Sequence, residues 1–166
     1  MIELIIYILF SICFGTLGLA MYGSYVRSYF KQRFSDQNPV GQSLTLVSMY
    51  VPFAILLVSA SLKLKEVVRL TSQNAEGYGW AIDSTMYYAG FIGLAFLFSG
   101  VILYCSSFIS DDLKFGKQGE ESRAEGALAR SILFILMATT ITCLIVNGYE
   151  TMIDYFIPYD RLNQIN

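Results

Sequence analysis

The stretch from Ser84 to Ser110 reads STMYYAGFIGLAFLFSGVILYCSSFIS, without one charged side chain. A helix needs about twenty such residues to cross roughly 30 Å of hydrocarbon. The same pattern recurs at Leu4–Val26, Gln37–Leu62 and Ser131–Tyr149. The charged residues gather between these blocks. Four crossings in 166 residues leave little chain for a water-soluble domain. The expected fold is all-α: a single membrane domain over residues 1–166 with spans near 4–25, 40–62, 87–107 and 131–157, arranged as two helical hairpins.

Composition agrees. The chain is 55% hydrophobic and 14% charged, where soluble domains carry about a quarter charged residues. A net charge of −2 lacks the basic footprint of a nucleic-acid binder, so no nucleic acid is an expected partner. There is no histidine, which removes the usual general base near neutral pH and the commonest metal ligand. Cys13, Cys105 and Cys143 lie in separate apolar spans and share no metal or redox spacing. No phosphate loop, nucleophile elbow or zinc-protease motif is present. Gly116-Lys117-Gln118-Gly119 follows no strand pattern and reads as a loop. No enzyme activity, cofactor or metal is expected.

Small residues mark helix packing. Ser11 and Gly15 stand four apart in the first span, followed by Gly18 and Gly23. In the third span Ala89 pairs with Gly93 and Ala95 with Ser99, and Gly90 and Gly100 lie in the same run. Such residues let membrane helices approach closely. Pro52 falls near the middle of the second span. It lacks an N–H and clashes with the Ser48 carbonyl, so a kink is expected, with the freed backbone satisfied by Ser48 or by a neighbouring helix.

The segments between spans are read from charge and aromatics. Tyr25 to Phe34 mixes rings with Arg27, Lys31 and Arg33, as at a helix end leaving the bilayer. Asn38-Pro39 reads as the turn into the second span. Lys63 to Ser84 is expected to be the longest loop, helical at first and turning polar at Ser72–Gly79, with Trp80, Tyr87 and Tyr88 as interface anchors. Glu120–Arg130 is expected to join the fourth span directly. Seven cations in loops 26–40 and 108–130 against four on the other side favour a cytoplasmic position for those loops, with both termini outside.

One polar constellation stands out. Glu150 and Asp154 share a helix face at the end of the fourth span, with Asn147 one turn earlier and Tyr149, Tyr155 and Tyr159 nearby. Carboxylates at the mouth of a membrane helix suit a cation or proton site. They equally suit a helix that has reached the interface, with its aromatic belt. No ionisable side chain lies at the centre of any span, which argues against a self-sufficient pump or voltage sensor.

The block Gly15-Thr16-Leu17-Gly18-Leu19-Ala20, the basic stretch after it, a second span from Gly41, the run from Gly90 to Gly100, and Gln118-Gly119 ahead of Gly126 together resemble the small four-span inner-membrane proteins of type IVB (Dot/Icm) secretion and I-type conjugation systems, the IcmC/DotE/DotV group. The resemblance implies a non-catalytic accessory subunit in the bacterial inner membrane, partnered by lipid and by other integral subunits. A weaker likeness, to the DUF350 membrane family of paired spans, rests on Asn38. The alternatives carried forward are a self-assembled ion or small-solute channel with Asn147, Glu150 and Asp154 near its mouth, and an accessory subunit of another membrane complex. A homo-oligomer is compatible with either.

Overall fold

The computed structural model describes residues 2–33, 39–74, 79–112 and 120–157. They form four helices: α1 (Ile2–Arg33), α2 (Pro39–Asn74), α3 (Gly79–Asp112) and α4 (Glu120–Phe156). No strand occurs among the described residues. Each helix carries a segment long and apolar enough to cross a membrane. The protein is an all-α, multi-pass membrane protein.

The helices outrun their apolar spans. The shortest has 32 residues and the longest 37, about 48–56 Å at 1.5 Å per residue. That exceeds the hydrocarbon thickness by a third or more. The charged flanks of the spans are therefore helical too. The largest departure from expectation lies at 63–84. Here α2 runs on to Asn74 and α3 begins at Gly79, so only 75–78 fall outside the described helices. The physical reason is burial. Leu64, Val67, Val68 and Thr71 recur at helical spacing and are all buried. Lys63 marks where the charge-free stretch ends, not where the helix does. Pro39 opens α2, where its fixed φ and missing N–H suit the first turn. The expected loop at Gly116–Gly119 lies outside the described residues.

Contacts define the topology. Tyr7 of α1 meets Ser61 of α2, and Tyr22 meets Met49, so α1 and α2 run antiparallel. Ser59 and Lys63 of α2 meet Glu150 and Asp154 of α4, so those two helices run parallel. Tyr29 of α1 meets Ser107 of α3, again a parallel pair. α2 touches all three other helices, whereas α1 and α4 do not touch. The bundle is thus a central α2–α3 pair flanked by α1 on one side and α4 on the other.

The core is aromatic. The Tyr22 ring stacks on Phe53 at 4.4 Å between centroids and meets Phe96 edge-on at 5.5 Å. Phe14 meets Tyr88 and Phe98 meets Tyr149, both edge-on. Such pairs add about 0.5–1.5 kcal/mol each beyond their burial. Three tyrosine hydroxyls then donate across helices to backbone carbonyls. Tyr7 reaches Ser61 at 3.0 Å, Tyr22 reaches Met49 at 3.0 Å, and Tyr149 reaches Phe91 at 2.9 Å. Tyr22 and Tyr149 are fully buried, so each hydroxyl must find a partner inside the protein.

The Tyr22 contact lies near Pro52. That proline is buried inside α2, and the helix continues through it. The Ser48 hydroxyl bonds instead to the Thr45 carbonyl at 2.7 Å. The Tyr22 hydroxyl of α1 donates to the Met49 carbonyl, three residues before the ring, whereas the carbonyl that loses its intrahelical donor to Pro52 is that of Ser48. Tyr88, expected as an interface anchor, is instead fully buried and hydrogen-bonded to Ser61 at 2.8 Å. Trp80 and Tyr87 are half-buried.

Tyr22→Phe is expected to lower the unfolding free energy in detergent by about 1 kcal/mol, the scale of one interhelical hydrogen bond. Tyr22→Ala, which also empties the aromatic cluster, is expected to lower it by about 4 kcal/mol. Reversible denaturation followed by tryptophan fluorescence or circular dichroism measures both.

Candidate functional site

Two polar rungs join α2 to α4 at the end of the bundle where both helices leave the apolar region. Ser59 and Lys63 are one turn apart on α2, and Glu150 and Asp154 are one turn apart on α4. Because the helices are parallel, the turns match in step. The Ser59 hydroxyl donates to Glu150 Oε1 at 2.8 Å. The Lys63 ammonium donates to both Asp154 oxygens, at 2.7 and 2.9 Å. One turn beyond, Arg69 stands 4.0 Å from Glu66 on the same helix.

The same end gathers further hydroxyls. Ser61 accepts from Tyr7 through its carbonyl and shares a hydrogen bond with Tyr88 through its side chain. Thr71 and Ser84, both buried, bond to each other at 2.7 Å and hold α2 to α3. The opposite end is tied by its own hydroxyls. Thr45 donates to Ser131 at 2.9 Å, and Ser131 donates to the Gly41 carbonyl at 3.2 Å. Tyr29 donates to Ser107 at 2.8 Å.

The Lys63–Asp154 pair is neither buried nor free. The side chains retain 27% and 39% of their exposure. A fully exposed pair contributes about 0–1 kcal/mol, and breaking a buried one costs about 3–5 kcal/mol. The intermediate position implies a contribution between these limits. Its chemistry is mutual neutralisation at the level where the helices meet the headgroups. Among the described residues, Glu150 has a hydroxyl partner and no cation in direct contact.

The carboxylates singled out in the sequence are therefore brought together with two residues that sequence reasoning did not assign to them, Ser59 and Lys63. A signal was present. In a four-span chain the second and fourth spans run in the same direction, so their charged ends share one membrane face. Asn147 is not part of this group; it is exposed, and its carbonyl accepts from Thr151. Tyr149 belongs to the core and Tyr155 is 86% exposed. Tyr159 lies outside the described residues. No group of three or more metal-ligating side chains occurs among the described residues.

The glycines divide by face. A Cβ on Gly18 would stand 3.1 Å from Ile92 and 3.4 Å from Phe53, so α1 approaches α2 and α3 too closely there for a larger residue. A Cβ on Gly23 would stand 2.9 Å from the Tyr50 hydroxyl, one on Gly15 3.9 Å from Leu57, and one on Gly100 3.8 Å from the Tyr25 hydroxyl. Gly90 and Gly93 differ: a Cβ there would meet nothing within 4 Å. Both lie on the exposed side of α3. Gly93 lines a groove of about 250 Å³ with Phe14, Gly18, Met21 and Ala89, between α1 and α3. Gly90 lines a second groove, of about 440 Å³, toward α4.

No family model matches this chain, and no curated protein or solved structure matches it either.

Each of Lys63→Met and Asp154→Leu is expected to destabilise the bundle by about 1–2 kcal/mol, midway between the exposed and buried limits. The double variant is expected to lose less than the sum. A double-mutant cycle in detergent reads the coupling directly.

Proposed function

We propose that this protein is a non-catalytic membrane subunit that takes part in the assembly of a larger membrane machine, of the type IVB secretion or I-type conjugation class. On this reading it resides in the bacterial inner membrane, with 26–40 and 108–130 facing the cytoplasm and both termini in the periplasm. The observation that carries it is the groove between α1 and α3. Its rim includes Ala89 and Gly93, small residues four apart on an exposed helix face. Among the described residues, nothing lies within 4 Å of where a Cβ on Gly93 would stand. That is the geometry by which one transmembrane helix admits another, through close van der Waals contact in the absence of a hydrophobic drive. Leu17 and Met21 beside it are 56% and 63% exposed. The occupant is a transmembrane helix of another subunit. The resemblance of Gly15–Ala20 and Gly90–Gly100 to small secretion-machine subunits supports the class of machine.

Mild detergent extraction from native membranes followed by native mass spectrometry tests the proposal. The chain is expected in a complex with other integral subunits. A stable, stand-alone monomer overturns the reading. Gly93→Leu is expected to release the chain from that complex while leaving its own melting temperature unchanged, because the added atoms enter open space. Gly18→Leu is expected to destabilise the chain itself.

The channel alternative draws on Glu150, which among the described residues has no ammonium in direct contact. Ion flux through liposomes holding this protein alone is the measurement for it. Flux that persists in Glu150→Gln and Asp154→Asn removes those carboxylates from the pathway.

A further inference from the structure

The groove of about 440 Å³ toward α4 has a polar end and an apolar end. Asp83, Tyr87, Gly90 and Leu94 line it at spacings of four, three and four along α3, so they form one helix face. The eleven helical steps from Asp83 to Leu94 span about 16 Å, close to the roughly 15 Å of hydrocarbon in one leaflet. Asp83 immediately precedes the charge-free stretch from Ser84 and therefore marks the headgroup level. Phe156 of α4 forms part of the apolar wall and is 54% exposed, so the groove opens sideways toward lipid.

The polar groups available to a ligand are few. The Thr71 hydroxyl is engaged by Ser84 and by the Val67 and Val68 carbonyls. Among the described residues, no hydrogen bond or ion pair involves the Asp83 carboxylate or the Tyr87 hydroxyl. One is an anionic acceptor and the other a neutral donor, one turn apart. Below them, Gly90 leaves open space where a side chain would stand.

We propose that this groove binds one phospholipid with a primary-amine, zwitterionic headgroup, of the phosphatidylethanolamine type. The ammonium donates to the Asp83 carboxylate, a charge-assisted hydrogen bond that a quaternary amine lacks the N–H to make. The Tyr87 hydroxyl donates to a phosphate oxygen. One acyl chain descends over Gly90 to Leu94, against Phe156. The site is separate from the α1–α3 groove, and it stands whether or not the assembly reading does.

The test uses the full-length protein in nanodiscs holding equal parts of ethanolamine, choline and glycerol phospholipids, with retained lipid identified by native mass spectrometry. Wild type is expected to retain one ethanolamine lipid per chain, about tenfold over either competitor, as a single charge-assisted hydrogen bond allows. Asp83→Asn is expected to bring ethanolamine and choline lipids level. Gly90→Leu is expected to abolish retention of all three while circular dichroism shows an unchanged fold. Equal retention of the three lipids by wild type overturns the proposal. So does an undiminished preference in Asp83→Asn, or undiminished retention in a folded Gly90→Leu. Should Gly90→Leu fail to fold, the wild-type and Asp83→Asn preferences decide alone.

Discussion

A hydroxyl buried in a membrane bundle has no water to bond with, and this constraint organises the helix contacts. Backbone groups satisfy themselves within each helix. Side-chain hydroxyls reach a second helix or turn back on their own, with the buried Ser11 hydroxyl an exception. Ser99, Ser106 and Thr142 take the second course, each donating to the carbonyl four residues earlier. Tyr22 and Tyr149 are too long for that and take the first. Each cross-helix bond fixes the relative height of two helices, which apolar packing alone does not. A slip of one turn would strand a buried hydroxyl as well as unseat a ring.

One end of the bundle shows this constraint at work. Where the chain begins and α4 ends, hydroxyls, an ion pair and a carboxylate–serine contact draw α1, α2, α3 and α4 together. Past that level, α2 still buries Leu64, Val67 and Val68, and Ile157 is buried just after α4. The bundle therefore continues beyond the charge-free stretches. Its remaining apolar surface is outward: Leu97, Val101, Tyr104 and Phe108 on α3 are all more than half exposed, as a lipid-facing flank requires.

Much of this was legible in the sequence, and the parts that were not share a cause. The four spans follow from uninterrupted apolar length. Gly15, Gly18 and Gly23 face Leu57, Phe53 and Tyr50, with tight approach at Gly18 and Gly23 and ordinary contact at Gly15. Gly90 and Gly93 look identical to them on paper and point the opposite way. Tyr88 reads as an interfacial ring beside Trp80 and Tyr87, yet lies in the core with Phe14 and Ser61. Helical position alone does not say which neighbour faces a residue. In a membrane segment even the usual guide fails, because lipid and protein are equally apolar and hydropathy does not separate inside from outside.

The solvent of this protein and the number of its crossings were settled by sequence, since hydrocarbon thickness and charge exclusion act on each segment separately. The pairing of Lys63 with Asp154, the bond from Tyr22 to the Met49 carbonyl, and the division of α3 into two grooves belong to tertiary structure alone. Each depends on the rotation and height of one helix against another. Those quantities are set by the joint packing of rings, glycines and hydroxyls drawn from distant parts of the chain.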